Sequence, residues 1–95
     1  MLSNGRFRLS NTSGRRDRHD IVAEILETAR GGAIKTHIMY KAKLSYSQLE
    51  EYTALLVEKG FLQKHITFKH KRAQDIFKTS EQGEEFIRGY RTLGL

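Results

Sequence analysis

The stretch KLSYSQLEEYTALLVEKGFL, residues 43–62, is a helix written with its own start and stop signals. Ser45 and Gln48 stand three apart, the spacing of a capping box in which hydroxyl and carboxamide each satisfy the other residue's backbone amide. Leu44 and Leu49 bracket that box as a hydrophobic staple, and Gly60 closes the helix. At about 100° per residue, Leu49, Tyr52, Thr53 and Leu56 fall on one side, the side that packs. The opposite side is Ser47, Glu51, Ala54 and Glu58, with Gln48 and Leu55 at its margins.

Upstream, AIKTHIMYKAK (33–43) reads as a very short strand over Ala33–Lys35, then a second helix capped by Thr36 with Ile38, Met39 and Ala42 inward. Only Lys43–Ser45 separates it from the next helix. Two helices joined so closely make a helix-turn-helix pattern, which helix hairpins without nucleic-acid partners also share. Before them, DRHDIVAEILETARGG (17–32) is a first helix capped by Asp17. Its packing face is Ile21, Val22, Ile25, Leu26 and Ala29; Arg30 is placed in its last turn, and Gly31 as the left-handed residue that ends it.

Downstream, FLQKHITF (61–68) and DIFKT (75–79) are strands around a polar loop, KHKRAQ, giving a β-hairpin with a basic tip. SEQGEEFIRGYRTLGL (80–95) is a final helix capped by Ser80 or Thr79, with Phe86, Ile87, Tyr90 and Leu93 on its apolar face. Gly83 in its first turn costs stability unless another backbone packs closely there. The expected fold is α+β, mainly α: a winged helix-turn-helix with a three-helix core, a basic β-hairpin wing and an added C-terminal helix. Residues 1–16, rich in Ser, Asn, Gly and Arg without periodicity, read as a flexible basic arm, and 17–95 as the one domain.

The net charge is +6, and it is concentrated. Residues 1–19 carry five arginines and one acid, and residues 64–72 carry Lys64, Lys69, Lys71 and Arg72 with no acid; the other two segments are each net −1. Clustering of this kind is the footprint of a phosphate-binding surface, with solubility charge as the bland alternative. There is no cysteine, which excludes disulfides and thiolate chemistry. No apolar run reaches membrane-spanning length and no secretory core opens the chain, so the expected location is cytoplasmic.

The outward acids Glu51 and Glu58 fit poorly with phosphate, but a recognition helix usually meets base edges with its first turn. Here that turn and its cap offer Ser45, Tyr46, Ser47 and Gln48, hydrogen-bonding and uncharged. Gln48 can pair with adenine or serve the cap, and Glu51 can accept from a cytosine amine or lie in solvent. Phosphate contact is expected from Lys41 and Lys43 beside the turn, from Lys69, His70, Lys71 and Arg72 on the wing, and from Arg15, Arg16 and Arg18 before helix 1. His65 and His70 without a nearby third ligand do not make a metal site. No catalytic motif, cofactor signature or small-molecule site is seen; the paired glutamates of LEEY and GEEF diverge around their helices.

The run T-x-I-M-Y-x-A-x-L-S-Y ending at Tyr46, the spacing from Tyr52 to Gly60, and S-x-x-G at Ser80 and Gly83 resemble the archaeal winged-helix family of small DNA-binding regulators and chromatin proteins, over residues 18–93. The resemblance implies double-stranded DNA as partner, met by the third helix and the wing, and favours Ser80 as the last cap. It implies a homodimer through the last helix as an antiparallel coiled coil, for which Phe86, Tyr90 and Leu93 are the candidate interface. Two features depart from it. The last helix has about thirteen residues, short for a coiled coil, and Lys43 and Thr53 replace an expected Asn and a larger apolar residue. The competing functions are a winged-helix protein–protein module using Leu55 and the last helix, and single-strand binding by stacking on Tyr46, Phe68 and Phe7. The second needs a row of exposed rings, and most of these are expected in the core.

Overall fold

The computed structural model describes residues 17–93. The elements follow in the order α1 (Arg18–Thr28), β1 (Ala33–Ile34), α2 (Lys35–Ala42), α3 (Tyr46–Glu58), β2 (Leu62–Lys69), β3 (Arg72–Thr79) and α4 (Glu81–Leu93). The three strands form one antiparallel sheet in the order β1-β3-β2. This is the expected winged helix-turn-helix with one added helix.

Local chemistry explains most boundaries. Asp17 caps α1 in a capping box with Asp20. At α3 the Gln48 amide donates to Ser45 Oγ at 3.1 Å, and Ser45 N–H donates to Gln48 Oε1 at 2.9 Å. Gly60 and Phe61 end α3 in a Schellman closure, their amides donating to Val57 and Leu56 carbonyls. Lys43 ends α2 in the left-handed region, φ 56°. That conformation suits Asn, which is the residue expected there, better than a residue with a long side chain.

Three boundary expectations are corrected. Thr36 does not cap α2: the cap position is Ile34, two residues earlier, with no side-chain cap, because pairing of Ala33–Ile34 with β3 fixes where the chain turns. Gly32 (φ 102°), not Gly31, takes the left-handed position after α1, and α1 ends before Arg30. The strands of the wing are longer than the sequence suggests. Pairing runs from Leu62↔Thr79 to Lys69↔Arg72, leaving only His70 and Lys71 as the turn instead of a six-residue loop.

The core joins Ile25, Leu26 and Ala29 of α1, Ile38 and Ala42 of α2, Leu44, Leu49 and Leu56 around and along α3, Leu62 and Phe77 of the sheet, and Ile87 of α4. Thr53, buried where a larger apolar residue is expected, satisfies its hydroxyl on the Leu49 carbonyl at 2.8 Å. The α4 helix starts on Ser80, whose Oγ accepts from Gly83 N–H at 3.1 Å and donates to the Gly60 carbonyl. Arg30 forks onto Glu84, with Nη2 to Oε1 at 2.7 Å, and Arg91 reaches Glu27 at the same distance, so that α4 is clasped to α1. Of the rings weighed for stacking, Tyr46 and Phe68 are exposed by 61% and 75%, against the expectation that most of them lie in the core.

Candidate nucleic-acid interface

The candidate interface is built on α3 and the hairpin that follows it. The first turn of α3 projects from the body, with Ser45, Tyr46, Ser47 and Gln48 all exposed. Capping engages Gln48 Oε1 and leaves its Nε2 hydrogens as donors, so the two-bond pairing with adenine competes with the cap. Ser47 is exposed and takes no part in the cap. The four backbone amides that open the helix add positive dipole at this end.

The three glutamates of α3 separate in space. Glu50 turns toward the sheet, where Lys35 Nζ donates to its Oε2 at 2.6 Å. That bond, followed by one from Tyr46, holds the Glu50 carboxyl below its ordinary range, and the same partner raises Lys35. Lys35 also lies 4.0 Å from Asp75, and Lys64 lies 3.6 Å from Asp75. Lys35 stands 5.8 Å over the Tyr46 ring. The result is a charge-balanced cluster linking the base of the wing to α3. It removes Lys64 from the free positive charge counted on the hairpin. Glu51 instead faces a shallow groove with Arg18, Tyr52 and Leu55, so the fold brings Arg18 to the outer face of α3. Glu58 is exposed at the far end of the helix, away from the first turn.

The tip of the wing carries the remaining charge. Lys69, His70, Lys71 and Arg72 are exposed, and among the described residues Lys69, Lys71 and Arg72 form no ion pair. Lys41 and Lys43 are exposed on α2 and at its end, beside the turn. Arg15 and Arg16 lie outside the described residues, as does the whole arm, with Phe7. His70 and Lys71 both have positive φ, 52° and 63°. This is the sign pattern of a two-residue type I′ turn, in which Asn-Gly is the preferred pair. A residue with a Cβ there costs roughly 1–2 kcal/mol. Replacing His70 and Lys71 by Asn and Gly is therefore expected to stabilise the domain by about 1 kcal/mol and raise Tm by about 5 °C, read by a thermal melt. A lower Tm would refute the strain. The chain keeps a cation where a more stable turn is available.

Two of the proposed dimer residues, Phe86 and Tyr90, have work within the chain. Phe86 stacks between His19 and Tyr90 and packs on Phe61, with ring centroids 6.4, 6.4 and 5.7 Å away. The Tyr90 hydroxyl donates to Asp20, which, with partial burial, pushes its pKa up to about 12. Phe86 and Tyr90 are half-buried as a consequence. Among the described residues no group of three or more His, Asp or Glu gathers as a metal site.

Sequence reasoning missed Lys35, whose partners come from two other elements, α3 and β3, and the exposure of Ile66 and Phe68 on β2. Strand alternation places both on the same face as Leu62; what was not visible is that the core ends before reaching them.

A family model described as winged helix-turn-helix matches residues 15–94. An uncharacterized protein of Methanocaldococcus jannaschii is 35% identical over 65 residues, which span 67% of this chain and 65% of that protein. The crystal structure of Sso10a-2, a DNA-binding protein from Sulfolobus solfataricus, matches with a TM-score of 0.69 at 22% identity, over 82% of this chain and 78% of that one. The second likeness is one of fold.

Proposed function

The chain belongs to the winged helix-turn-helix family, and from that premise we propose that it binds duplex DNA as a transcriptional regulator or chromatin-associated protein of the nucleoid. The first turn of α3 enters the major groove, with Ser47 and the Gln48 amide at base edges, and the wing lies on phosphates. One observation carries this reading: Lys69, Lys71 and Arg72 have no counter-ion among the described residues, on a hairpin beside a helix start that presents no acid. The likeness of fold to Sso10a-2, itself a DNA-binding protein, supports it. We propose a homodimer as the working unit, with α4 contributing what Phe86 and Tyr90 leave uncovered, because paired half-sites are the usual mode for helix-turn-helix proteins.

The test is fluorescence anisotropy of a labelled duplex across a salt series. Lys41 and the three wing-tip cations can neutralise four phosphates per subunit, which sets a slope of log K against log salt of roughly −4, about twice that for a dimer binding with both subunits. A second reading, a protein–protein module, draws on Leu55, which is 38% exposed in the groove with Arg18, Glu51 and Tyr52. It requires that duplex binding be weak and nearly independent of salt, and that result would refute the DNA reading.

A further inference from the structure

Along β2 the residues Leu62, Lys64, Ile66 and Phe68 alternate onto one face of the hairpin. Leu62 is 2% exposed and belongs to the core, and Lys64, next on that face, lies 3.6 Å from Asp75. On the same face, level with Asp75 and one step beyond it, stand Ile66 and Phe68, exposed by 65% and 75%. Their cross-strand neighbours are Asp75 and Ala73, and Ala73 is too small to cover an aromatic ring. Two large apolar side chains are thus carried out past the body of the protein on a hairpin, and immediately after them come Lys69, Lys71 and Arg72.

We infer that Ile66 and Phe68 form a wedge that enters the duplex from the minor groove, unstacks a base step and kinks the DNA while the wing-tip cations hold the flanking phosphates. The inference rests on the duplex-binding reading above and adds deformation of the DNA to it. The pattern of the hairpin matches the target: the interior of a base stack is apolar and its rim is anionic, and proteins that kink DNA insert Phe, Ile or similar side chains between base steps from the minor groove. A second copy of the chain is a poorer occupant. Pairing two wings by their apolar faces would bring six cations together, three from each tip, and Asp75, the acid on that face, already has Lys64 and Lys35 beside it. A single strand is also a poorer fit, since stacking platforms use successive exposed rings and Lys35 Nζ already stands 5.8 Å from the centroid of the Tyr46 ring.

A 30-base-pair duplex of mixed sequence, carrying a donor and an acceptor fluorophore at its two ends, tests this with the full chain. Saturating wild-type protein is expected to raise end-to-end energy transfer, as a kink of about 20–90° requires. The Ile66→Ala/Phe68→Ala variant is expected to fold, since both side chains are exposed, to keep the salt slope of binding, and to leave the duplex straight. Phe68→Leu, which keeps an apolar wedge, is expected to retain most of the bend. Binding by the wild type without a rise in transfer overturns the wedge alone, as does a bend that survives the double alanine variant. Absence of duplex binding by the wild type overturns the proposed function and the wedge with it. Two further results overturn the wedge by reassigning the patch: self-association of the free protein that the double variant abolishes, and tighter binding to the single-stranded 30-mer that the double variant abolishes.

Discussion

Duplex affinity at 0.1 M salt is expected to fall on the order of 500-fold when Lys69, Lys71 and Arg72 are replaced together by alanine. Each phosphate neutralised on B-DNA contributes about −0.9 to the slope of log K against log salt, so three contribute about −2.7, worth that factor one decade below 1 M. The slope itself should flatten by the same amount, and this separates lost phosphate contacts from a damaged fold, which would lower the fraction of active protein without changing the slope. Local structure supports the arithmetic. The three cations form no ion pair among the described residues, so none of their charge is cancelled before DNA arrives. Lys64→Ala makes the matched control within this design. Its charge already faces Asp75 at 3.6 Å, so the slope should change little. An unchanged slope in the triple variant would remove the wing from the interface.

The largest loss of stability is expected for Gly83→Ala. A Cβ at this position would lie 2.5 Å from the Phe61 carbonyl oxygen and 2.6 Å from Thr79 Cγ2. The first contact is with backbone, which cannot rotate aside. The same few residues hold the junction between wing and α4: Ser80 N–H donates to the Phe61 carbonyl, Ser80 Oγ receives Gly83 N–H, and Thr79 is tied to α1 through Leu26 and Ala29. Making room would therefore loosen α4 and the wing together. Overpacking of this severity costs about 3 kcal/mol, which for a domain of this size lowers Tm on the order of 15 °C. Thermal melting monitored by circular dichroism measures it, and a Tm within a few degrees of wild type would mean that α4 packs less closely than described.

Both predictions begin in features that local sequence makes readable. The glycine in the first turn of α4 is costly unless a backbone lies against it, and the fold supplies that backbone in Phe61. The Asp17 cap, the capping box at Ser45 and the packing faces of the helices were likewise legible, because each depends on residues within a turn or two of one another. The cluster of charge on the hairpin was legible as composition.

What was misread depends on partners distant in the chain. Thr36 is a good cap by residue type, yet pairing of Ala33–Ile34 with Phe77 and Ile76 starts the helix at Lys35 and bypasses it. Arg30 reads as a helix-end cation and instead binds Glu84, 54 residues away. Phe68 reads as core because aromatic residues usually are, but burial depends on how far the helices cover the sheet, and here they stop short of it.

The opening stretch shows the same division. Its caps, its length and its Leu49–Leu56 packing face follow from side chains acting on their own backbone, and these interactions exist wherever the chain goes. The three glutamates look alike on a helical projection, and their roles diverge only on folding. Glu50 is neutralised by Lys35 against the sheet, Glu51 shares a groove with Arg18, and Glu58 stays exposed at the end remote from the first turn. The physical reason is range: a hydrogen bond three residues away survives any tertiary arrangement, whereas the charge a residue offers to DNA depends on which distant residue the fold places beside it.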